Sequence, residues 1–221
     1  TNVAGTLGNG NYSVTASNTG SWSVTPKALT VTAANQVKTY GETFTFVGNE
    51  FTTSGLINGD SVGTATLTSA GAVNTATVAG SPYTITASAA SGTGLSNYTI
   101  SYNTGNLTVN KRNITVTALG GTSVYGDSPS SPGLSATNLA SFDTVSALTG
   151  LSNSFGITSA STVNTYTTNV AGTLSNGNYN VTTTNTGTWS VTPKILTVTA
   201  NNQVKNYGDT FTFAGTEFTT S

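Results

Sequence analysis

Fifty-four residues at the start of the chain return almost unchanged 167 residues later. Residues 1–54 and 168–221 align without a gap and differ at eleven positions. Such a repeat constrains the fold strongly, because each copy is expected to supply the same part of the same unit. A weaker repeat lies inside the long one. Leu29–Glu42 (LTVTAANQVKTYGE) is similar to Ile114–Asp127 (ITVTALGGTSVYGD). Asn97–Lys111 (NYTISYNTGNLTVNK) is similar to Asn178–Lys194 (NYNVTTTNTGTWSVTPK), with two residues inserted. The long unit is therefore two diverged modules, A over residues 27–110 and B over residues 111–193. Residues 1–26 read as the C-terminal part of a B-type module, and residues 194–221 as the N-terminal part of a next A-type module. The expectation is an interior piece of a longer tandem array.

Each module opens on strict alternation: Leu29-Thr-Val31-Thr-Ala33, Ile114-Thr-Val116-Thr-Ala118 and Leu196-Thr-Val198-Thr-Ala200. A period of two with β-branched residues predicts a half-buried strand. The triplets Tyr40-Gly41-Glu42, Tyr125-Gly126-Asp127 and Tyr207-Gly208-Asp209 follow. A glycine between an aromatic and an acid predicts a turn with positive φ, the tyrosine closing the core edge. Phe44-Thr-Phe46 and Phe211-Thr-Phe213 alternate again and read as strand. Asp60 and Asp143, at matching places in the middle of A and B, are candidate caps of a short helix or a turn. The fold expected is all-β, with at most one short helix per module. A module of about 84 residues buries a modest core without disulfides.

Composition excludes several function classes. Only 6% of residues are charged and the net charge is −1, against about 25% charged residues in ordinary domains. So neutral a surface supplies no cluster of phosphate contacts for nucleic acid and no polybasic stretch for an anionic membrane. No run of about 18 apolar residues is present to span a bilayer. The chain has no His, Cys or Met, which removes disulfides, thiolate metal sites and the commonest catalytic bases and nucleophiles. Asp60 and Asp143 stand one per module, which favours a cap over a paired-carboxylate site. No stretch alternates Asp or Asn toward a closing Glu as a calcium loop does. The expectation is a non-enzymatic chain with no cofactor and no metal.

Other residues carry alternative chemistry. Trp22 and Trp189 could stack on sugars, but module A has Leu107 at the matching place, which points to a core site. Asn11, Asn97, Asn106, Asn113 and Asn180 begin Asn-x-Ser/Thr sequons, candidate glycosylation sites that an Asn/Thr/Ser-rich chain also produces by chance. Lys27, Lys111 and Lys194 recur at module starts, where a Lys–Asn isopeptide would stiffen a cysteine-free chain.

The ordered series of Leu-Thr-Val-Thr-Ala, Tyr-Gly-acid, a central Leu…Gly-Asp segment and a closing Asn-Tyr-Thr-Ile…Leu-Thr-Val pair resembles the MBG modules of the YGX type. Those occur in tandem in very large bacterial surface and filamentous-haemagglutinin-like adhesins. The resemblance covers essentially the whole chain. It implies β-grasp-like or Ig-like sandwich modules in an elongated array, outside the cell. It also implies a stalk, fibre or adhesive role in attachment and biofilm. The partners implied are neighbouring modules of the same chain, other copies in a filament, or a host or matrix glycan or protein. In the alternative, the modules themselves are weak multivalent binding units. Module B departs from the pattern at Ser141-Phe142-Asp143 and at Ser128-Pro129-Ser-Ser-Pro132, which replaces Phe-Thr-Phe.

Overall fold

The computed structural model describes residues 2–221 and divides them into two compact units, residues 2–110 and 111–221. Both units are built of strands. Their helical content is single 3₁₀ turns of three residues.

In the first unit, seven strands make two sheets: β1 (Lys27–Ala33), β2 (Gln36–Thr39), β3 (Phe51–Ser54), β4 (Ser61–Thr68), β5 (Tyr83–Thr93), β6 (Tyr98–Asn103) and β7 (Gly105–Asn110). One sheet has the order β3-β1-β6 and the other β2-β7-β5-β4. β1 runs antiparallel to β3, with Val31 opposite Thr53, and parallel to β6, with Leu29 opposite Ile100. β2 runs parallel to β7, with Gln36 opposite Leu107. The first two strands thus pair with the last two, and both pairs pass from one sheet to the other together. The alternation is realised: Leu29, Val31 and Ala33 are buried while Thr30 and Thr32 lie on the outer side. Ala33 meets Leu67, Ile85, Ala87 and Leu107 of the other sheet in one cluster. Two sheets sharing one core cluster with no packed helix make this an all-β module, as expected.

The second unit repeats the plan with β8 (Arg112–Ala118), β9 (Gly121–Val124), β10 (Leu134–Thr137), β11 (Leu151–Asn153), β12 (Asn164–Thr168), β13 (Val170–Gly172), β14 (Tyr179–Asn185) and β15 (Gly187–Thr192). β10-β8-β14 corresponds to β3-β1-β6, and β9 pairs parallel with β15 as β2 does with β7. The two inserted residues have local explanations. One is absorbed as a β-bulge between Val181 and Thr183, where the Thr182 hydroxyl donates to the Ile114 carbonyl at 3.2 Å. A bulge takes up one extra residue without changing the register beyond it. The other is Pro193, which follows the last strand and cannot donate to a ladder.

Two expectations need correcting. Phe44–Phe46 is not a strand. The Phe44 amide donates to the Ala72 carbonyl, and the two rings meet edge to face at 4.9 Å against the core cluster. Burial of both aromatics outweighs the local β pattern. No helix begins at Asp60 or Asp143. Each follows a turn, closed by Asp60 N–H to the Ile57 carbonyl and Asp143 N–H to the Ala140 carbonyl. The nearest 3₁₀ turn, Val145–Ala147, has Thr144 at its N-cap.

Residues 2–26 contain no strand and are exposed throughout. Residues 194–221 form one antiparallel pair, β16 (Val198–Ala200) with β17 (Phe218–Thr220). Its register, Val198 opposite Thr220, is that of Val31 opposite Thr53 moved by 167 residues.

Candidate functional site

The recurrent chemistry of both modules gathers where the closing strands meet the turns. The Tyr-Gly-acid triplet is the first element. Gly41, Gly126 and Gly208 have φ of 88°, 92° and 89°, a region open to glycine at little cost. The acid then turns back on the strand it leaves. Glu42 Oε2 accepts the Thr39 amide at 3.0 Å, and Asp127 Oδ2 accepts the Val124 amide at 3.2 Å. The tyrosine amide donates to the last residue of the closing strand: Tyr40 to Asn110 and Tyr125 to Thr192. The triplet therefore ties the end of the second strand to the end of the module. The tyrosine ring closes the core edge in A, where Tyr40 is buried, but Tyr125 in B is about half exposed. The Phe44–Phe46 pair that follows the turn in A has no counterpart in the Ser128–Pro132 stretch of B. Tyr207, in residues 194–221, is fully exposed.

A second element pairs the central turn with the closing strand. The Tyr98 hydroxyl accepts the Ile57 amide at 3.0 Å and donates to Asp60 Oδ2 at 2.8 Å. The Tyr179 hydroxyl accepts the Ala140 amide at 3.0 Å and donates to Asp143 Oδ2 at 2.5 Å. Desolvation, reinforced by the Asp60 carboxylate, raises the Tyr98 phenol above its ordinary value despite the Ile57 amide, which pulls the other way. The phenol therefore stays the donor and the carboxylate the acceptor. Asp60 and Asp143 do cap a turn, but by latching it to a strand 36–38 residues further on. Replacing Asp143 by Ala is expected to destabilise module B by about 1–3 kcal/mol, the range for a charge-assisted bond whose partner stays buried. Urea unfolding of the full chain measures it.

The other sequence candidates do not assemble into a reactive centre. The sequon asparagines 11, 97, 106, 113 and 180 are all exposed, and Asn180 donates to Asn113 Oδ1 at 3.0 Å across β14 and β8. Lys27, Lys111 and Lys194 are exposed. Among the described residues no three His, Cys, Asp or Glu converge as metal ligands. Trp189 is buried, with its indole N–H on Ser123 Oγ at 3.0 Å and its ring edge to face with Phe155 at 4.8 Å. Trp22 is exposed.

Two charged residues carry structural roles that the sequence reading passed over. Lys38 is only 5% exposed. Its ammonium donates to the Glu42 carbonyl at 2.8 Å and to the Val73 carbonyl. Burial lowers its pKa, and the Glu42 carboxylate only partly opposes this. Glu50 gathers the amides of Val47, Gly48 and Asn49 at 2.9–3.2 Å. Desolvation alone would raise its carboxyl, but these donors outweigh it and hold it below the usual range. Glu217 repeats the arrangement with Ala214, Gly215 and Thr216. Its carboxyl is likewise lowered, chiefly by the Ala214 amide, so the motif is local in origin. A depressed carboxyl contributes stability above its unfolded pKa and loses it as pH falls through the folded value. Glu50 is thus expected to titrate below an ordinary glutamate by NMR. The acid-side loosening of residues 46–50 should vanish in Glu50→Gln.

These features define a class: an all-β repeat module closed by its own last strands. Residues 29–108 match the family model of the MBG domain, YGX type. That span opens at Leu29 and holds the Tyr40-Gly41-Glu42 triplet, the Asp60–Tyr98 latch and Leu107. No curated protein and no solved structure was found to match the chain. No helix among the described residues is long and apolar enough to cross a membrane.

Proposed function

We propose that this chain is a structural repeat region, a stalk or fibre shaft, of a large extracellular bacterial adhesin or surface filament. It serves attachment and biofilm by shape and is not an enzyme. The observation that carries the reading is the MBG match at residues 29–108 within a chain that repeats itself at 167 residues. The MBG domain suggests a surface-protein repeat of adhesin type. A near-neutral Thr/Asn/Ser surface supports the same reading, since it offers little charge for salt to screen. The partners proposed are neighbouring modules and other copies of the chain. A host or matrix glycan or protein would be bound elsewhere on the fibre.

Gold-labelled antibody against module A, applied to producing cells under the electron microscope, tests this. Label at regular intervals along extracellular fibres is the expected result. Label confined to tips or contact points would make the modules themselves the adhesive units, and label inside the cell would refute both.

A further inference from the structure

The seam between second and closing strands differs between A and B at facing positions, and the differences are matched. In B, Gly121 stands opposite Trp189. A methyl group at 121 would lie 2.6 Å from Cζ3 of that indole, closer than carbon atoms approach. In A the corresponding pair is Gln36 opposite Leu107, a longer side chain facing a smaller one. Two residues further along, B has Ser123, whose hydroxyl accepts the indole N–H. A has Lys38 there, already donating to two backbone carbonyls. An ammonium has no acceptor for an indole. The flanking copies keep each half: Trp22 stands in the closing segment of B type, and Gln203 with Lys205 in the opening segment of A type.

We infer that Gly121, Ser123 and Trp189 in B, and Gln36, Lys38 and Leu107 in A, form a bump-and-hole code selecting the closing strand of the module's own type. A B-type closing strand (residues 187–192, or its copy 20–25) fits only the Gly/Ser receiver. Entering A, its indole would meet the Gln36 side chain where B has none, and would find the Lys38 ammonium in place of the hydroxyl that accepts its N–H. An A-type closing strand (105–110) entering B would leave the space of an indole unfilled beside Gly121. The partner that the B receiver accepts is its own last strand or the B-type strand of a second copy of this chain. Strand exchange between neighbouring modules is a characteristic failure of tandem arrays, and a mismatch between the A and B types works against exchange between adjacent modules of one chain.

The test is a pair of double-mutant cycles in the full chain, read by hydrogen-exchange protection of β8 and β14 for B and of β1 and β6 for A. Gly121→Ala is expected to lower protection of B about tenfold or more with Trp189 present, and by less than about twofold in a Trp189→Leu background. Leu107→Trp is expected to lower protection of A about tenfold in the native receiver, and by less than about twofold when added to Gln36→Gly with Lys38→Ser, measured against that receiver variant alone. Equal losses from Gly121→Ala in both backgrounds, or equal losses from Leu107→Trp in both receivers, would overturn the code. If Trp189→Leu alone strips protection from B, the module A cycle decides.

Discussion

Trp189→Ala is expected to destabilise module B by about 3–5 kcal/mol, the range for a buried aromatic truncated to Ala. The same substitution at Trp22 should change stability by less than about 0.5 kcal/mol. The two tryptophans share almost the same sequence neighbourhood, TGTWSVTPK and TGSWSVTPK, but Trp189 is 7% exposed and Trp22 is 81%. The difference is tertiary. Trp189 has Tyr166 and Gly121 as register partners, Ser123 as hydrogen-bond acceptor, and Ile157, Val191 and Phe155 around it. Residues 2–26 have no such receiver in this chain. The emission of the two single-tryptophan variants checks this directly. Trp22→Ala should leave a shielded indole that reddens on unfolding, and Trp189→Ala an already exposed one. A red-shifted spectrum from Trp22→Ala in its native state would contradict the buried seam.

The same contrast marks how far local sequence reaches. The turn elements form with or without their module. Asp209 N–H still meets the Asn206 carbonyl as Glu42 meets Thr39, and Glu217 still gathers its three amides. Of these the Tyr-Gly-acid turn was legible, because a glycine with positive φ needs only a few neighbouring residues; the carboxylate of Glu50 or Glu217 among its amides is equally local but was passed over. The alternation of β1 and β8 was legible for the same reason. What could not be read were the partners. Nothing in LTVTA announces a parallel pairing with residues 98–103. Nothing in Phe44-Thr-Phe46 says that its rings will turn onto a core cluster and abandon the ladder. Asp60 and Asp143 read as caps, and only the fold brings Tyr98 and Tyr179 to them. The signal was present in the recurrence of Asn97-Tyr98 and Asn178-Tyr179, each some 36–38 residues after its aspartate. Lys38 gave no signal of burial, since its alignment partner Ser123 is neutral. Their exchange becomes meaningful only when Leu107 and Trp189 are seen across the seam.

Leu29→Ala is expected to destabilise module A by about 2–5 kcal/mol, because a fully buried leucine is lost where two ladders meet. Leu29 is 0% exposed on a strand that pairs with β3 on one side and β6 on the other. The cavity therefore weakens the opening and closing strands together. Thr30→Ala removes only the outer hydroxyl that meets Ser101 at 3.2 Å, and Leu196→Ala removes a side chain already 65% exposed. Each should cost less than about 0.5 kcal/mol. Calorimetry of the full chain reads all three. Leu29→Ala should lower the transition of A and leave that of B in place, since B closes on its own strands β14 and β15. A concerted shift of both transitions would mean that the modules do not fold as separate units. The parallel pairing adds a kinetic expectation. β1 cannot gain β6 until a loop of about 65 residues has closed, and such non-local pairing slows folding. Leu29→Ala should therefore act mainly on unfolding, through contacts made after the β4–β5 hairpin has formed.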